Sequence, residues 1–176
     1  MCSSDLVPVL GESAPAPRRL GLRLLLIIAA LLEGFDALPS VSTLFGDMSA
    51  IPGPGLGGFL IKAHIATHPL LALAVLLFAI IGRVRYAIAA LGAIVFMTWL
   101  NYMPSVVRHG LGFDGPYATL TTTAQVIAFP LMAACAIALA ARNRRLGLAT
   151  ALVSIPTLFG VFGVIAFAIG VAIHGF

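Results

Sequence analysis

The chain has 176 residues, of which 61% are hydrophobic and 9% charged. Soluble domains carry roughly 25% charged residues, so a soluble globular enzyme is excluded and a membrane protein is indicated. The pI near 9.7 does not imply nucleic acid as a partner, because the basic residues stand in short clusters between apolar runs, where they act as topology signals.

Residues 1–17 read as a disordered leader, with Pro8, Gly11, Glu12, Pro15 and Pro17 close together. Its first six residues, MCSSDL, match the translated end of a common sequencing adapter and read as an assembly artefact. Residues 18–176 form a single transmembrane domain. Arg18, Arg19 and Arg23 precede the apolar run LLLIIAALL. No A-x-A cleavage site follows, and Glu33 and Asp36 occupy the place where small neutral residues would stand. An uncleaved first helix over 20–38 is therefore predicted.

Pro39 to Gly58 reads as a loop. Gly53-Pro54-Gly55-Leu56-Gly57-Gly58 matches G-x-G-x-x-G in form, but no strand precedes it, so turns are expected and not a dinucleotide site. Further helices are predicted over 59–82, 86–103, 117–141 and 146–173. Pro104 should stop the third, since proline cannot continue the hydrogen-bond ladder. A second loop would hold Arg108, His109 and Asp114. Pro130 and Pro156 should kink the fourth and fifth helices. Each run is near the ~20 residues that cross ~30 Å of hydrocarbon.

With the N-terminus inside, Arg18, Arg19, Arg23, Arg83, Arg85, Arg142, Arg144 and Arg145 are cytoplasmic, and only Lys62 and Arg108 lie outside. The positive-inside rule thus predicts an all-α, polytopic transmembrane bundle of five helices, N-terminus in and C-terminus out. Arginine and alanine richness fits a bacterial inner membrane protein, with the lipid bilayer as its first partner.

In this topology the polar residues gather on the outer side. Glu33 and Asp36 share one face of the first helix. His64 and His68, four apart, share one face of the second, while Lys62 points nearly opposite and either snorkels or pairs with Asp36. Thr121, Thr122, Thr123 and Gln125 stand at the outer part of the fourth helix. Ser154 and Thr157 are placed in the cytoplasmic half. Ionisable groups cost roughly 2.5–3.5 kcal/mol at mid-bilayer, so they mark packing contacts or sites. Gly160, Gly163 and Gly170 are expected to permit close helix approach, and Cys135 to pack as a small hydrophobe.

The leading expectation is a non-catalytic accessory or structural membrane protein whose outer cluster fixes helix packing or engages a membrane-protein partner or a second copy. A second class is a metal- or haem-binding redox or assembly protein. His64, His68, Glu33 and Asp36 are the candidate metal ligands, since two histidines one turn apart with a carboxylate can bind zinc, copper or non-haem iron. His68 and His174 are the candidate axial ligands of one haem b, with His64 as the substitute for His68. A third class is a small oligomeric transporter. No serine elbow, P-loop or H-E-x-x-H is present, so no catalytic residue is assigned.

Overall fold

The computed structural model describes residues 16–46, 55–113 and 115–174, with the side chains of residues 16–19, 117, 167 and 174 outside the description. Most of the leader, Asp47, Gly53, Asp114 and the last two residues therefore lie outside it. The elements are α1 (Ala16–Asp36), α2 (Leu38–Leu44), α3 (Leu56–Ile81), α4 (Val84–His109), α5 (Pro116–Thr123), a π-helical turn (Ala124–Ala128), α6 (Phe129–Ala141) and α7 (Leu146–His174). No strand occurs among the described residues. Four helices are long and apolar enough to cross a membrane, and a fifth span exists if α1 and α2, bent by 46°, count as one.

Two turns at one end are built alike. Gly82 at φ +82° ends α3, the Gly82 N–H donates to Ala79 O, and the Arg83 N–H reaches back to Phe78 O at 2.8 Å. Asn143 at φ +52° does the same after α6, with Asn143 N–H on Ala140 O and Arg144 N–H on Leu139 O. These are Schellman motifs, which need a left-handed residue that glycine and asparagine adopt most readily. An arginine completes each end. Arg23 of α1 donates to Ala79 O and Ile80 O, and Arg85 of α4 donates to Ala140 O and Ala141 O. A guanidinium at a helix C-terminus satisfies orphan carbonyls and opposes the negative end of the dipole. These contacts make α1 antiparallel to α3 and α4 antiparallel to α6. We call this the arginine end.

The core is small-residue packing. Ala29, Ala30, Ala72, Ala79, Ala87, Ala136, Ala140 and Ala149 are buried around Leu26, Val75, Ile88, Leu91, Ile94 and Val153. The alanine spacing in α6 gives one flat face at Ala133, Ala136 and Ala140, as its composition suggests. α4 is central, in contact with α1, α3, α6 and α7, while α1 also packs on α3 and α7. The outside is as apolar as the inside. Leu20, Leu24, Ile28, Leu31 and Phe35 make an exposed stripe along α1. Such a surface needs an apolar solvent, and with the span lengths it indicates a multi-pass membrane protein.

Several sequence expectations are corrected. The loop after α1 contains α2, because Pro39 has no N–H for Phe35 O and bends the chain without ending helix formation. α3 begins at Leu56, inside the expected loop. Pro104 does not stop α4, which continues to His109, so His109 is helical and the following loop is short. Proline is tolerated inside spanning helices when packing holds the backbone around it, and Pro104 Cβ lies 3.4 Å from where a Cβ on Gly57 would sit. Pro130 produces a π-turn, not a simple kink. A Cβ on Gly160, Gly163 or Gly170 would meet nothing within 4 Å, so these glycines do not mediate close approach. Gly92 of α4 does, since its Cβ would meet Ile137 at 2.8 Å. Cys135 is exposed on the outer surface of α6 and is not packed within the bundle. Lys62 forms no ion pair with Asp36 among the described residues.

Candidate functional site

Glu33 stands one turn before the end of α1, at the end of the bundle opposite the arginines. Both its oxygens are engaged. His68 Nε2 of α3 meets Oε2 at 3.0 Å, and with the carboxylate as acceptor it is Nε2 that carries the proton. Thr157 of α7 donates its hydroxyl to Oε1 at 2.6 Å. His68 is 3% exposed and the Glu33 side chain 13%. One carboxylate thus ties three helices together, through the short, charge-assisted bonds that a buried ion requires.

Thr157 reaches this level because α1 and α7 run parallel. Leu22 of α1 packs at 3.9 Å from the Cβ position of Gly147 in α7, and a similar advance along each helix brings Glu33 level with Thr157. The sequence reading placed Thr157 in the cytoplasmic half and missed this contact. Counting both helices from their arginine ends was the signal that could have found it. Thr150, Ser154 and Thr157 continue as a buried line on one face of α7. Thr150 donates to Leu146 O, whereas Ser154 Oγ is buried without a partner.

His64 stacks on His68 with ring centroids 5.0 Å apart, as the four-residue spacing implies, and its Nδ1 is buried and unpartnered. Asp36 and Glu33 lie close enough to act on His64 electrostatically. The four candidate metal ligands therefore share one neighbourhood. Their geometry is that of a hydrogen-bonded pair with satellites: among the described residues no three histidine, cysteine or acidic side chains are gathered to hold a metal ion. For the haem pair, His68 is turned to Glu33, and His174 ends α7 with its side chain outside the description.

A partly open cavity of about 650 Å³ adjoins the cluster, between α1, α4, the π-turn and α7. Glu33, Asp36 and Thr157 are in its wall with Asn101, Gln125 and Thr98, and aromatic side chains supply much of the rest. Trp99, the single tryptophan of the chain, lines it and also donates Nε1–H to Val126 O at 3.1 Å. That carbonyl is four residues before Pro130, whose missing N–H would otherwise bond it in a regular helix. The π-turn, seen in the Phe129 N–H to Ala124 O bond, locally widens the helix beside the cavity. π-turns within helices often occur at functional sites. Thr122 anchors the preceding turn by donating to Gly112 O at 2.8 Å.

No protein-family model, no curated protein and no solved structure matches this chain. A volume of this size is in the range of small-molecule sites, ~300–1,000 Å³, which are mostly apolar with a few placed polar groups.

Proposed function

We propose that the protein is a non-catalytic, multi-pass component of the bacterial inner membrane that holds a small amphipathic molecule in the cavity beside Glu33. The observation that carries this reading is the placement of the Glu33–His68–Thr157 cluster. Glu33 and Thr157 of this cluster are also in the wall of the cavity, so the cluster adjoins open space as well as packed helices. The polar residues then orient the head of the occupant, and the apolar wall takes its body. Five spans with the N-terminus in would put the cavity in the outer half of the bilayer, reachable from the lipid or the periplasmic side.

Trp99 makes the reading testable in detergent-purified protein, since its fluorescence reports the cavity wall alone. A panel of amphipathic molecules, cationic, neutral and anionic, is titrated against wild type and Gly160→Phe. Gly160 lines the cavity and a Cβ there meets nothing within 4 Å, so a ring added at this position takes up cavity space. At least one probe should shift Trp99 emission saturably in wild type and not in the filled variant. A panel without saturable response, or responses equal in both proteins, would overturn the proposal.

A further inference from the structure

The cavity wall carries charge of one sign. Glu33 and Asp36 are in it, and no lysine, arginine or histidine is. Glu33 is met from behind by His68 and Thr157. Asp36 has no hydrogen bond or ion pair among the described residues, and the titratable group that faces it is His64 of α3, which lies outside the wall.

The rest of the wall is aromatic, with Phe35, Trp99, Tyr102, Phe129 and Phe159. Aromatic faces attract cations through the ring quadrupole, most strongly where water is excluded. An anion would be repelled by two carboxylates, and a neutral molecule would gain no attraction from either. A bare metal ion would need oxygen or nitrogen ligands that do not gather here among the described residues.

We propose that the cavity takes a lipophilic organic cation, an amine or onium ion with apolar substituents, with its positive centre near Asp36 and its apolar part among the aromatic rings. This inference rests on the cavity being a ligand site.

The test uses two ions of matched shape and opposite charge, tetraphenylphosphonium and tetraphenylborate, with triphenylphosphine oxide as the neutral comparison. Each is titrated into the full chain in a neutral detergent while Trp99 emission is read. The expected result is saturable binding of the phosphonium at lower concentration than either comparison. Asp36→Asn should weaken it by a few-fold, the factor that loss of one exposed charge contact gives, and leave the neutral compound unchanged. Asp36 is exposed, so its replacement spares the folded core, and unchanged thermal unfolding of the variant checks this. Equal binding of the neutral compound, preference for the borate, or indifference of the phosphonium to Asp36→Asn would overturn the cation assignment while leaving the cavity as a binding site. A Trp99 signal that responds saturably to none of the three, and to no other member of the wider panel, would overturn both.

Discussion

Glu33 accepts two hydrogen bonds, one from α3 and one from α7. A buried bond to a charged group contributes about 1.5–3 kcal/mol. Thr157→Val keeps the side-chain shape and removes only the donor to Oε1, so it should lower unfolding stability by about that amount. Ser154, one turn earlier on the same buried face, is the contrasting case. Its hydroxyl has no partner, so Ser154→Ala removes an unsatisfied group and should raise stability by up to about 1 kcal/mol. Thermal unfolding of both variants in one detergent reads the difference. Equal losses would mean that Thr157 acts by packing and not through Glu33. The sequence shows that Glu33, His64 and His68 are unusual, because ionisable residues inside apolar runs are costly wherever they fall. Which of them meet is not written there. His64 and His68 have equal claims on the carboxylate by spacing, and only the rotation of α3 about its axis turns His68 to it.

At the scale of the helix, proline in this chain reshapes and does not terminate. Pro39 bends, Pro104 is passed through, and Pro130 follows a π-turn. The Pro130 case has a local cause and a distant remedy, since the carbonyl that proline leaves without its helical donor is bonded by Trp99 from α4. Trp99→Phe should therefore destabilise the protein by about 1–3 kcal/mol, the cost of an unmet buried carbonyl. In a Pro130→Ala background the new N–H can serve Val126 O, and the same replacement should cost measurably less. A double-mutant cycle read by thermal unfolding decides it, and additive effects would show that the indole bond does not compensate for the proline. The sequence marks Trp99 as an interfacial aromatic, which is the common reading for tryptophan near a helix end. Its bond to α6 depends on α4 and α6 lying side by side, and nothing in either segment alone specifies that.

The whole molecule has one arginine end and one end rich in histidine and acid. The proposed five spans with the N-terminus inside would place the C-terminus in the periplasm. Alkaline phosphatase fused after Phe176 should then be active and green fluorescent protein fused there dark, with the opposite pattern for fusions in the α3–α4 turn at Arg83. A bright C-terminal fluorescent fusion would put the C-terminus inside, and would remove either the α1–α2 pair as a span or the assumed orientation. The arginines do structural work as well as topological. Arg23 and Arg85 close the C-termini of α3 and α6, so the residues that would fix orientation also fix helix pairing at that end.

By itself the sequence determined what solvent the protein needs and roughly where its helices run. Both follow from local quantities, namely the length of apolar runs, the position of basic clusters and the choice of glycine or asparagine where a tight turn needs a left-handed residue. It also determined which polar residues stand out, since an ionisable group in an apolar run is visible without its partner. Only the tertiary structure decided what those residues do. The parallel course of α1 and α7 brings Thr157 to Glu33, the rotation of α3 turns His68 inward, and the placing of α4 puts Trp99 against the carbonyl beside Pro130. The cavity itself is where α1, α4, the π-turn and α7 do not touch. Such a space belongs to no segment, because it is set by how far apart whole helices are held.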